Sequence, residues 1–134
     1  MHTRTAVAAI TAAALLLAGC TSAATDVESK ASPTVSKEDR FLTAVKDADF
    51  QSWNEKRPSE AELLEFPEQW CDALRDGHSV EWMFDGKDDS LYPIGWNWGT
   101  REDDAQQLLI LAVTVYCPSY RARVTDELRS SGVY

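Results

Sequence analysis

Residues 100–117 read TREDDAQQLLILAVTVYC, and the conformation of this stretch decides the fold. Leu108 to Tyr116 is almost wholly apolar, and Ile110, Val113, Thr114 and Val115 are β-branched, so taken alone it would serve as a buried strand. The residues in front of it argue for a helix. Thr100 is a capping residue type, and Glu102, Asp103 and Asp104 place three carboxylates where the positive end of a helix dipole would lie. With that start the segment is long enough to run as a helix through Cys117. Being apolar on most sides, it must be covered on most sides.

The flanking sequence supplies the cover. Pro118 breaks or redirects the chain, and Ser119 to Leu128 can form an amphipathic helix with Arg123 and Glu127 one turn apart. Upstream, Ser59-Glu60-Ala61-Glu62 has the capping-box pattern, and Leu63, Phe66, Trp70, Cys71 and Leu74 form a stripe that stops at Gly77. Pro67 falls inside this stripe. A proline costs about 3 kcal/mol in a helix interior, which predicts a kink or two short helices with Pro67 in the first turn of the second. Ser36 caps a first helix carrying Phe41, Leu42 and Val45 through about Ala48, and Ser79 caps a brief one from Val80 to Phe84. Asp85 to Gly99, with three glycines and a proline, is expected to be an ordered loop. The expected class is all-α: a small compact helical domain of four to five short helices over residues 37–130.

The amino terminus reads differently. Arg4 precedes Ala6 to Ala18, an apolar run broken only by Thr11. About 13 helical residues cover roughly 20 Å of a hydrocarbon core about 30 Å thick, so a cleaved secretory signal is expected rather than a membrane span. Leu17-Ala18-Gly19-Cys20 resembles a bacterial lipobox. That resemblance implies cleavage after Gly19, a diacylglyceryl thioether on Cys20 and an added amide-linked acyl chain. Each buried methylene adds about 0.8 kcal/mol of membrane affinity, and two chains hold stably where one does not. The competing reading is an ordinary secretory signal that happens to contain a cysteine. Thr21 to Ser36 is rich in Ser, Thr and Ala and nearly free of large apolar side chains, the composition of a flexible tether. The expected organisation is a signal at 1–19, a lipidated cysteine and tether at 20–36, and the helical domain at 37–130.

There are three cysteines. Acylation of Cys20 leaves Cys71 and Cys117, and in an exported protein the two are expected to pair. Closing so long a loop would stabilise the fold by about 4 kcal/mol in the chain-entropy treatment. Two buried thiols or a metal pair are the alternatives, but two sulfurs with neither a C-x-x-C spacing nor a companion histidine ligate zinc poorly.

Asp39-x-Phe41-Leu42, then Cys71-x-x-Leu74-x-x-Gly77, then an apolar helix closing on Tyr116-Cys117-Pro118 resembles the small secreted two-cysteine domain of actinobacteria known as domain-of-unknown-function family 732. The resemblance runs from about Glu38 to Pro118. It implies a compact helical domain, a Cys71–Cys117 bridge and an envelope or secreted location, and it brings no catalytic residues. Two segments depart from the pattern: Phe50 to Arg57 has no tidy turn motif, and the aromatic loop Tyr92 to Trp98 exceeds the usual connection.

Acidic residues outnumber basic ones 22 to 13, for a formal charge of −9, and loss of the signal removes one more arginine. Such a surface repels phosphate backbones and anionic headgroups, so no nucleic-acid partner is expected and the lipid alone makes the membrane contact. The sequence lacks G-x-S-x-G, H-E-x-x-H and glycine-rich phosphate loops, so no catalytic residue, cofactor or metal is expected. His78, between Gly77 and Ser79, reads as part of a turn. Asp85, Asp88 and Asp89 could offer oxygens to calcium but match no EF-hand spacing and read as a solvated turn. Glu102, Asp103 and Asp104 are accounted for by the helix start, and Arg121, Arg123 and Arg129 by a solvated helix face.

The loop Tyr92-Pro93-Ile94-Gly95-Trp96-Asn97-Trp98 is the one candidate ligand surface. Tyr92, Trp96 and Trp98 could present rings to a sugar or peptide, or could cover the central helix as core. The expected outcome is mixed, with one tryptophan packed and the other exposed. The favoured functional class is a non-enzymatic lipoprotein on the outer face of the membrane that engages an envelope protein or glycan. A carbohydrate- or peptidoglycan-binding module using the aromatic loop is the alternative. A phage or prophage surface lipoprotein affecting superinfection fits the favoured class equally well, and a hydrolase working through two carboxylates has no motif behind it.

Overall fold

The computed structural model describes residues 34–85, 91–93 and 99–132. Cys20, the signal and nearly all of the tether lie outside them, as do Asp88, Asp89, Trp96 and Trp98. The described residues form α1 (Lys37–Ala48), a 3₁₀ turn (Gln51–Trp53), α2 (Glu60–Leu64), α3 (Phe66–Arg75), α4 (Val80–Met83), α5 (Glu102–Tyr116), a second 3₁₀ turn (Pro118–Tyr120) and α6 (Arg121–Ser130). The class is all-α, as the capped start of residues 100–117 predicts; α2 and α3 are the two halves of one expected helix.

That break has a local cause. Pro67 offers no N–H, and its ring would meet the carbonyl of Leu63 in a continuous helix. The chain turns at Glu65 and restarts with Pro67 in the first turn of α3. The capping box in front of α2 is complete: Ser59 Oγ accepts from the Glu62 N–H at 3.3 Å, and the Ser59 N–H donates to Glu62 Oε2 at 2.8 Å. Ser36 caps α1 in the same manner, its Oγ accepting from the Asp39 N–H at 3.0 Å.

α5 is the hub, with α1, α3 and α6 packed around it. Leu108, Leu109, Ala112 and Val113 are fully buried. They meet Phe41 and Val45 of α1, Trp70 and Leu74 of α3, and Val124 and Leu128 of α6 in one apolar cluster. Burying each large aliphatic side chain contributes about 1.5–3 kcal/mol, so these few positions on α5 dominate the favourable side of folding. The Cys71–Cys117 disulfide ties α3 to the carboxyl end of α5 across a sequence separation of 46.

The start of α5 departs from expectation. Thr100 does not cap it; the N-cap residue is Arg101, with no side-chain cap bond. The Thr100 hydroxyl accepts instead from the indole N–H of Trp53 at 2.9 Å, because a buried indole donor requires a partner and this oxygen is the one delivered to it. Asp104 does more than favour the helix dipole. It is buried, and its Oδ2 accepts from the Ser52 N–H at 3.0 Å. Phe50 and Trp53, edge to face at 4.8 Å between ring centroids, are themselves core residues. The untidy segment after α1 is thus a plug whose Ser52 N–H and Trp53 indole N–H are paired with the front of α5, while the Ser52 hydroxyl is buried without a hydrogen bond. α5 ends at Tyr116 rather than Cys117, and a 3₁₀ turn occupies Pro118–Tyr120 before α6 begins.

Reducing the bridge should lower stability by about 2–4 kcal/mol, measured as the shift in urea unfolding of the oxidised and reduced protein. Unchanged unfolding, or stoichiometric labelling of both cysteines without reductant, would contradict the assignment.

Candidate functional site

The end of α3 organises the surface beside it. Gly77, at φ 93°, provides the left-handed turn, and the chain closes with the Gly77 N–H donating to Leu74 O and the His78 N–H to Ala73 O. Arg123 of α6 then inserts its guanidinium among the carbonyls of this turn. It donates to Leu74 O at 3.1 Å, Gly77 O at 3.3 Å and His78 O at 2.7 Å, while its Nε donates to Glu127 Oε1 at 2.8 Å. The second oxygen of Glu127 accepts from the Val80 N–H, the first of α4, at 2.8 Å. One ion pair on α6 therefore satisfies acceptors at the end of one helix and a donor at the start of the next.

This corrects the reading of Arg123 as part of a solvated face. A planar fork with five donors fits a ring of carbonyls, and the turn at Gly77 gathers them. Arg121 and Arg129 do sit on the exposed side: Arg121 Nε donates to Thr114 Oγ1 at 3.1 Å, and Arg129 lies 3.6 Å from Asp126. His78 stays in the turn and stacks on Trp82 with ring centroids 3.6 Å apart.

Docking α4 and α6 in this way leaves a groove between them and the front of α5, with an open volume of about 1200 Å³. Val80, Phe84, Ala122 and Leu128 contribute apolar lining. Carboxylates from Glu81, Asp85, Glu102, Asp126 and Glu127 surround them. Gln106 also lines the groove; it is 4 % exposed, its Nε2 donates to Glu102 Oε1 at 3.2 Å, and its Oε1 is buried without a hydrogen bond. Leaving such an acceptor unpaired costs about 1–3 kcal/mol. Nothing in the sequence sets Gln106 apart from Gln107 beside it in the polar first turns of α5.

Of the aromatic candidates, Tyr92 is placed inward. Its hydroxyl donates to Thr100 O at 3.2 Å, and its ring meets Phe84 edge to face at 5.1 Å. Burial, with the carboxylates of Glu102, Asp103 and Asp104 adding to it, pushes the Tyr92 phenol above the usual tyrosine range. Pro93 beside it is fully buried. Cys71 and Cys117 are bridged. Among the described residues no cluster of three or more His, Cys, Asp or Glu could hold a metal ion, and no helix is long and apolar enough to cross a membrane.

The described residues thus define a small, disulfide-closed, all-α domain with an acidic, partly apolar groove. The chain belongs to the family described as Protein of unknown function (DUF732), which it matches over residues 37–119. No curated protein and no solved structure matches it.

Two measurements check the electrostatics. Arg123→Ala should destabilise by about 2 kcal/mol in urea unfolding, because three carbonyls and Glu127 lose their partner, whereas Arg129→Ala should stay within about 0.5 kcal/mol. Equal effects would refute the capping role. For Tyr92, a folded-state pKa above the unfolded value of about 10 means that its contribution is intact below that pH and is lost as pH rises through the folded pKa. Ultraviolet titration should show a late phenolic component that Tyr92→Phe removes; a normal titration in both proteins would contradict the burial argument.

Proposed function

We propose that the protein is an exported lipoprotein, held at the outer face of the membrane through Cys20, which presents its helical domain as a non-enzymatic binding module. The observation that carries the reading is the cysteine arithmetic: two of three cysteines are bridged, and the remaining one follows Leu17-Ala18-Gly19 at the end of a short apolar leader. A disulfide suits an oxidising compartment. The contact surface in this reading is the groove between α4, α5 and α6, since it combines apolar lining, convergent polar groups and room for a ligand.

The alternative of a glycan-binding aromatic loop is weakened by one of its three rings. Tyr92 spends its hydroxyl on Thr100 and packs its ring against Phe84. Trp96 and Trp98 lie outside the described residues. Envelope proteins are the favoured partners, and a phage or prophage lipoprotein acting on later infection would use the same anchor.

Expression of Cys20→Ser should leave an unprocessed precursor or release protein to the medium, and metabolic labelling with an alkyne fatty acid should mark the parent alone. A variant that matures and fractionates with membranes as the parent does would exclude the anchor.

A further inference from the structure

We propose that the groove binds a lysine- or arginine-bearing segment of a protein partner, an inference that rests on the groove being the contact surface. Glu81, Asp85, Glu102, Asp126 and Glu127 line it; Asp126 is paired with Arg129 and Glu127 with Arg123, the one cation of the lining, so carboxylates remain in excess. That cation is already committed to Glu127 and to the carbonyls of Leu74, Gly77 and His78. The groove therefore presents an excess of negative charge to an incoming group, and anionic ligands are repelled.

Gln106 adds a second and independent demand. Its amide donates to Glu102 and leaves Oε1 without a hydrogen bond in a side chain that is 4 % exposed. Turning the amide over would set its oxygen against the Glu102 carboxylate, two acceptors face to face, so the acceptor stays unpaired in either protein conformer. Glu102 and Gln106 together call for N–H donors. An ammonium or guanidinium supplies several, and a peptide backbone supplies more.

The apolar lining selects among cations. Val80, Phe84, Ala122 and Leu128 suit the methylene stem of lysine or arginine, whose charged head can then reach the carboxylates. A bare metal ion would make no use of these side chains, and a neutral glycan would leave the carboxylates unanswered.

The test uses the full-length lipoprotein in non-ionic detergent micelles and fluorescence anisotropy with a fluorescein-labelled nonapeptide of alternating lysine and leucine. It should bind at least about 10-fold more tightly than the same peptide with glutamate in place of lysine, and less tightly as salt rises. Glu102→Gln should weaken binding about 5-fold or more, while Glu60→Gln, outside the groove, should not. Gln106→Leu should weaken binding yet keep or raise the melting temperature, because it removes a buried unpaired acceptor. Equal affinity for the two peptides, or equal losses from Glu102→Gln and Glu60→Gln, would overturn the proposal. So would capture of N-acetylglucosamine oligomers with no binding of the lysine peptide, an outcome that would favour the aromatic loop over the groove as the contact surface. Fractionation of Cys20→Ser decides the anchor separately, so failure here leaves that assignment standing.

Discussion

A helix with so broad an apolar face must be covered across it, and this constraint on α5 organises the rest of the domain. Leu108, Leu109, Ala112 and Val113 are fully buried on one broad face, which needs more than one neighbouring helix to cover it. α1, α3 and α6 provide these neighbours. The polar front of the same helix is then drawn inward with it, which is why Thr100 and Asp104 are buried and paired with Trp53 and Ser52 instead of meeting solvent. The disulfide fixes the other end, where α5 meets α3.

The candidate site follows from how the shorter elements are held to this hub. α4 has four residues and too few hydrogen bonds to persist alone. It is kept in place by buried Val80 and Met83 and by Glu127, which takes the first N–H. Arg123 does the same for the carboxyl end of α3. The Arg123–Glu127 pair is therefore an internal fastener, and further carboxylates beside it line the groove. Charge that looks evenly solvated in the sequence becomes one-sided in space.

Local features were legible because their physics is local. Ser36, the Ser59–Glu62 box, Pro67 and Gly77 act within one turn of their own positions, and each element boundary they mark is where the residues suggest. The family resemblance and the even cysteine pair were legible for a similar reason, since spacing and count carry them. What escaped were bonds between segments far apart in sequence. Trp53 to Thr100, Ser52 to Asp104 and Arg123 to Leu74 each span more than forty positions. Nothing in the composition of Phe50 to Arg57 announces that it plugs the core, and Arg123 looked like a surface partner of Glu127 until the Gly77 turn was brought beneath it. Gln106 escaped because its oddity is an absence of a partner, visible only once the neighbours are in place.

Native-state hydrogen exchange tests the organising role of α5 most directly. If its burial holds the domain together, the amides of residues 108–113 should exchange only through global unfolding, with protection free energies equal to that from denaturant titration, while amides of α4 and the amino end of α1 open at lower cost. Exchange from residues 108–113 that is faster than from α1 or α6 would contradict the account, because the helix taken as the hub would then open while its cover stayed folded.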